Sequence, residues 1–225
     1  IENAQSFLAA ARSGEEFSSY YFMKDLYKRE NIQYMLEGYL FPDTYEFYVG
    51  SSNSAVINKL MTQFNYVYKP AYSLRATELG MTMNQVITLA SLIEKEGLQK
   101  DFAKISAVFH NRLKADMPLQ TDAAIQYILH TERLVLTSEE LAVDSPYNLH
   151  TNKGLAPGPI CAPSRKAIEA ALYPDQTIIS GKYYYFTLTD PATGECAFSK
   201  TYEEHQRVVE QWRPVWEAYD KAQGS

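Results

Sequence analysis

The sequence predicts a helix-rich α+β fold, and three observations support it. Two capping boxes, Thr82 with Gln85 and Thr201 with Glu204, each precede a run with helical character. One β-prone run over residues 183–189 faces a second over 196–199 across Asp190-Pro191-Ala192-Thr193-Gly194, so a single hairpin is the expected sheet. With 225 residues the chain is long enough to bury a core without disulfide or metal staples.

Residues 1–35 are polar, with helix-prone stretches over 4–12 and 17–27, and lack a core of their own. They read as the tail of an upstream module, which leaves 36–225 as the main domain. Residues 36–48 are aromatic-rich and interrupted by Gly38 and Pro42, the pattern of extended segments around a turn. A long helix is expected over 54–76. The next starts near Met83 and carries Val86, Ile87, Leu89, Ala90, Leu92 and Ile93 before stopping at Gly97. A third, over 101–114, places Phe102, Ile105, Phe109 and Leu113 on one face. Thr121 caps a shorter helix, and a further helical turn begins at Ser138. Pro146, Pro157, Pro159 and Pro163, with Gly154 and Gly158, make 144–163 a loop of fixed shape. A helix from Ser164 ends ahead of Pro174; the hairpin and a terminal helix from Thr201 come next.

Composition narrows the function classes. A net charge of −6 and no basic stripe argue against nucleic acid as the main ligand. Cys161 and Cys196 have no Cys-x-x-Cys partner; two inert thiols are the expectation, with one bridge between them as the alternative. His110, His130, His150 and His205 lack ligand spacing, so neither a metal nor a cofactor is expected. Gly-x-Ser-x-Gly and the phosphate-binding Gly-x-x-x-x-Gly-Lys-Ser/Thr are absent. The 18 Tyr against 2 Trp suit a wet, sugar-binding groove, since the ring stacks while the hydroxyl bonds, and equally suit a tyrosine-rich core. No run of 18 apolar residues is present, and a start at Ile1 rather than Met fits a fragment of a longer protein.

The chemistry concentrates in Ala90-Ser91-Leu92-Ile93-Glu94-Lys95-Glu96-Gly97. Ionised carboxylates are rarely buried without a partner or a purpose, yet two stand in the last turn of an apolar helix. At about 100° per residue, Glu94 falls between Ile87 and Ala90, and Glu96 beside Leu89 and Leu92, roughly 160° apart. They cannot share a site, so at most one performs chemistry. A carboxyl among aliphatic side chains holds its proton near neutrality, as a general acid must. The same pattern fits a helix-end ion pair, and periodicity does not choose between the two glutamates. Further polar candidates are Asn111-Arg112, then Gln120, Thr121 and Asp122, which also fit ordinary capping, and Tyr147-Asn148 behind Pro146 in the rigid loop.

Six blocks, taken in order, resemble the endolytic murein transglycosylase family, also called YceG-like. They are Leu-Glu-Gly-Tyr-Leu-Phe-Pro-Asp-Thr-Tyr (36–45), Ala-Ser-Leu-Ile-Glu-Lys-Glu-Gly (90–97), Val-Phe-His-Asn-Arg-Leu (108–113), Leu-Gln-Thr-Asp (119–122), Ser-Pro-Tyr-Asn (145–148) and Gly-Leu-Ala-Pro-Gly-Pro-Ile (154–160). The resemblance covers residues 36–210. It implies a catalytic domain preceded by a LysM-like subdomain, of which 1–35 would be the C-terminal remnant, and a membrane anchor missing from this sequence. It also implies a lyase on the extracytoplasmic face of the bacterial cell membrane, with peptidoglycan glycan strands as substrate and cell-wall synthesis enzymes as partners. Internal cuts at the MurNAc–GlcNAc β-1,4 bond would leave 1,6-anhydroMurNAc ends. The resemblance assigns the catalytic acid to the first glutamate of Glu-Lys-Glu, Glu94, acting first as acid and then as base. Tyr147, Asn148, Gln120, Thr121, Asp122 and Asn111 would bind substrate. The chain departs from the family at Leu149-His150, where Thr-Tyr is usual, and at Ala162-Pro163-Ser164, where Asn-Pro-Gly is usual. A hydrolytic muramidase with Asp122 as second carboxylate and a non-catalytic glycan-binding scaffold are the rival readings.

Overall fold

Helix α5 (Met83–Glu96) lies deepest, and its sequence explains why: residues 86 to 93 are all buried, so it has almost no polar face to give to water. The Thr82–Gln85 capping box forms as expected, each side chain bonding the other's backbone N–H. The computed structural model describes residues 3–223. Before α5 come α1 (Ala4–Ser13), a 3-10 turn (Glu15–Phe17), α2 (Met23–Leu26), α3 (Asn53–Val67) and α4 (Pro70–Glu78). After it come α6 (Phe102–Lys114), α7 (Asp122–Leu129), α8 (Ser138–Leu141), α9 (Arg165–Leu172) and α10 (Gln176–Ser180). Strands β1 (Tyr185–Asp190) and β2 (Glu195–Ser199) then pair antiparallel, and α11 (Tyr202–Ala222) closes the chain.

The expected class holds: helix-rich, with a single two-stranded hairpin among the described residues. The long helix expected over 54–76 is instead two, because Pro70 has no N–H and forces Lys69 into an extended conformation (φ −67°, ψ 155°). Residues 36–48 form turns and irregular chain without a strand. The segment 142–164 holds no helix or strand. Helix α10, missed in the sequence, is nucleated by the Asp175 carboxylate accepting from the N–H groups of Thr177 and Ile178.

One contiguous core joins these parts. Phe17, Phe22, Met23 and Leu26 from the first 35 residues pack with Tyr39, Phe64 and the α5 side chains. The aromatic block requires glycine at position 38 for two reasons. Its φ is +86°, and an added Cβ would lie 2.5 Å from Cγ of Pro159 and 2.9 Å from Ile87. Gly38→Ala is therefore expected to cost about 2 kcal/mol through strain and overpacking, read as a lower urea midpoint at unchanged slope.

The hairpin is fastened to α6 rather than to another sheet. Asn111 donates to the carbonyls of Ile178 (3.2 Å) and Tyr183 (2.9 Å), and Arg112 Nε donates to that of Tyr184 (2.6 Å). Phe186 of β1 meets Phe109 edge-on, with ring centroids 5.5 Å apart. Helix α11 packs on both strands. Near its end the Asp220 carboxylate accepts from the backbone N–H groups of Leu134 and Val135, both at 2.9 Å, so the segment before α8 is tied to α11. Between these walls a cavity remains open.

Candidate active site

The cavity encloses about 470 Å³, within the range typical of ligand pockets. Its walls come from the last turn of α5, the start of α7, the 134–141 segment, β1 and α11. The carboxyl of Glu96 opens onto it. Burial in α5 places that group, and Gly97 ends the helix immediately after it. Gly97 is extended, so its role is spatial: a Cβ there would lie 2.6 Å from Cδ1 of Ile105.

Glu96 Oε1 accepts hydrogen bonds from the Thr121 hydroxyl and from the backbone N–H of Ala123 (3.3 Å). Thr121 stands at the N-cap of α7 but makes no side-chain bond to its own helix; its hydroxyl goes to Glu96 instead. The glutamate thereby takes the position a capping side chain would hold, with the positive end of α7 facing it. Loss of hydration acts the other way and prevails. Burial, helped by the negative charge of Asp122, pushes the Glu96 carboxyl up to about 7, while the Thr121 and Ala123 bonds and His150 pull it down. Such a group exchanges its proton readily at neutral pH.

Asp122 and His150 line the cavity next to it, with His150 Nε2 3.0 Å from Asp122 Oδ1. Gln120 also lines it and adopts a left-handed backbone (φ +53°), fixed by its N–H bond to the Leu149 carbonyl (2.8 Å). The Arg112 guanidinium is held by structure on one side: Nη1 donates to the carbonyls of Pro118 and Leu119 and to the Gln120 side chain, at 2.9 to 3.0 Å, while Nη2 makes no hydrogen bond among the described residues.

Of the residues the sequence singles out, the structure brings Gln120, Thr121 and Asp122 together with Glu96. Glu94 lies elsewhere. Its Oε2 accepts from the backbone N–H (3.0 Å) and hydroxyl (2.6 Å) of Ser164, the residue that caps α9, and its side chain does not line the cavity. Helical arithmetic separates the two glutamates, but the choice between them depends on which face α9 covers. Asn148 is fully buried: its Nδ2 donates to the carbonyls of Leu141 and Val143, and its Oδ1 accepts from the N–H of His150. It shapes the loop and presents His150. Tyr147 packs against Tyr127 (centroids 5.3 Å apart) away from the cavity, and Asn111 is bound to the hairpin approach. Sequence reasoning missed Lys95, His150, Arg213 and Trp216 as cavity residues. Of these, Lys95 stands within the Glu-Lys-Glu block without a role, and His150 leaves a trace as a departure from the family pattern.

These features define a class of protein: a helix-rich domain whose most buried helix delivers a proton-holding carboxyl to the wall of an open cavity. The chain belongs to the YceG-like family, whose sequence model matches residues 2–211. It is similar to an endolytic murein transglycosylase of Bacillus subtilis, 39% identical over 184 residues, covering 81% of this chain and 49% of that protein. It is also similar to one of Streptococcus pneumoniae serotype 2, 36% identical over 188 residues, covering 81% of this chain and 33% of that protein. A crystal structure of a yceG-like protein from Listeria monocytogenes superposes with a TM-score of 0.77 at 34% identity, covering 91% of this chain and 67% of that one. The chain thus spans about half the length of the Bacillus relative and a third of the Streptococcus one. Among the described residues no helix is long and apolar enough to cross a membrane.

Proposed function

We propose that this chain carries the cutting site of an endolytic murein lytic transglycosylase, with Glu96 as its single acid and base. The observation that carries the reading is the Glu96 carboxyl at the cavity wall, shielded enough to hold a proton near neutrality and bonded so that its anion is also tolerated. Protonated Glu96 donates to the oxygen linking MurNAc C1 to GlcNAc C4, and the C1–O bond breaks. The C6 hydroxyl of the same MurNAc attacks C1 and returns its proton to the carboxylate. No water is consumed, and the product ends in 1,6-anhydroMurNAc. A group that must be acid in one half-step and base in the next works best with a pKa near the working pH.

In this scheme Thr121 and the α7 N-terminus steady the carboxylate between the half-steps, Gln120 and Asp122 face the sugar, and Glu94 holds the start of α9. Tyr147, Asn148 and Asn111 act by shaping the walls. The setting would be the extracytoplasmic face of the membrane, where glycan strands are made.

Asp122 beside Glu96 favours one alternative, hydrolysis by two carboxylates, which ordinary glycosidases hold about 5 to 9.5 Å apart. Mass spectrometry of digested glycan separates the two readings by one water per cut. Anhydro ends support the transglycosylase, reducing ends the muramidase, and binding without cleavage a scaffold.

The electrostatics around Glu96 give a second test. Asp122 holds the Glu96 proton on and His150 eases it off, with Lys95 and Arg112 as the nearby fixed cations. Asp122→Asn is expected to move the alkaline limb of kcat/KM to lower pH. His150→Gln is expected to move it to higher pH. Shifts in the same direction for both variants would contradict this account of the site.

A further inference from the structure

The α11 side of the cavity has no part in the bond cleavage, yet it is built from side chains that recognise ligands. Arg213 and Trp216 line this wall together with Val209, His205 and Tyr202. Resting on the murein reading, we propose that this wall is a carboxylate-binding subsite: Arg213 grips a carboxylate on the lactyl or peptide arm of a bound saccharide whose ring lies along Trp216.

Three cations line the cavity, and two of them, Lys95 beside Glu96 and Arg213 on the α11 wall, make no ion pair and no side-chain hydrogen bond among the described residues. The Arg112 guanidinium is held by four acceptors on the protein, the Tyr184 carbonyl included. A guanidinium presents a planar fork of donors that matches a carboxylate at two points, and an unpaired one at a cavity wall is an available anion site. Trp216 lies three residues further along α11, on the same helical face. Its indole N–H is shut away from solvent, so what Trp216 offers a saccharide at the cavity is ring surface.

The wall is also held in place. Helix α11 is capped at Thr201, packed along β1 and β2, and tied at Asp220 to the Leu134 and Val135 amides that continue the same cavity lining. The arginine is thereby presented by a fixed helix, which reduces the ordering cost of binding. With a net charge of −6, the chain as a whole repels anions, so a carboxylate at this cavity needs a local cation. Arg213 and Trp216 lie beyond residue 211, outside the stretch the family model matches. Glu96 on one wall and Arg213 on another would together define which sugar of the strand occupies the cutting position.

The test uses the full chain with Glu96→Gln, expected to cut about 10²- to 10⁴-fold more slowly, and three tetrasaccharide probes studied by calorimetry. These are a murein oligosaccharide with its peptide stems, the same sugar with stems removed so that only lactyl carboxylates remain, and neutral chitotetraose. Adding Arg213→Gln is expected to weaken binding of carboxylate-bearing probes by about tenfold or more and to leave chitotetraose unchanged, with Arg213→Lys recovering part of the loss. Loss confined to the stem-bearing probe assigns the stem carboxylate. Loss confined to the stem-free probe assigns the lactyl carboxylate, which the stem-bearing probe holds as an amide, and loss on both murein probes means that Arg213 takes either carboxylate. Equal weakening on all three, or on none, overturns the subsite. A folded Glu96→Gln chain that binds no probe overturns the murein reading itself.

Discussion

Glu96→Gln is expected to slow glycan cleavage by about 10²- to 10⁴-fold, the contribution of a general acid, while Glu94→Gln stays close to the parent rate. The two substitutions are chemically identical and two residues apart on one helix, so the contrast isolates position. Glutamine keeps the oxygen that accepts from Thr121 and Ala123 at position 96, and from Ser164 at position 94. Folding is therefore preserved in both, and only the proton is lost. Release of anhydro-ended fragments from purified glycan strands provides the readout. A slow Glu94→Gln variant beside an active Glu96→Gln would return the acid to the first glutamate and leave the cavity without its proposed chemistry.

That assignment marks where the sequence stops being informative. Capping boxes at Thr82, Thr137 and Thr201 are local, and the helices they start can be placed from a few neighbouring residues. Pro70 splits a helix for an equally local reason, although its effect is hidden within a long amphipathic run. The hairpin can be read from its β-prone strands and its turn. The environment of a carboxyl is not local. Glu94 and Glu96 differ because α9 covers one and α7 the other, contacts made 70 and 25 residues away. The same holds for Asn148, which the rigid loop suggests as a ligand contact. Its amide instead bonds Leu141 and Val143 and is wholly enclosed. A polar residue in a fixed loop can fix the loop itself, and sequence does not distinguish that from gripping a sugar. Thr121 has the place of an ordinary cap, but its hydroxyl is bonded to a partner from another helix.

The Glu96 site should also be visible in stability, with a definite sign. The carboxyl has an ordinary pKa of 4.5 and rises to about 7 in the folded protein. Between those values the folded state binds more protons than the unfolded state, so stability must fall as pH rises. Below pH 4.5 both states are protonated and Glu96 costs nothing. Above about pH 7 both are ionised and the full cost is present, about 3 kcal/mol at about 1.36 kcal/mol per unit. Gln at position 96 carries no charge to desolvate. Glu96→Gln is therefore expected to be more stable than the parent chain by about 3 kcal/mol at about pH 8, with the gain disappearing by about pH 4. Urea unfolding of both chains across that range measures the difference directly. A gain that did not vary with pH would come from packing, and a loss at the alkaline end would mean that the bonds from Thr121 and Ala123 outweigh burial. A variant that folds more firmly and cuts far more slowly is the expected result if the cost of shielding this carboxyl from water is also the reason its proton stays available.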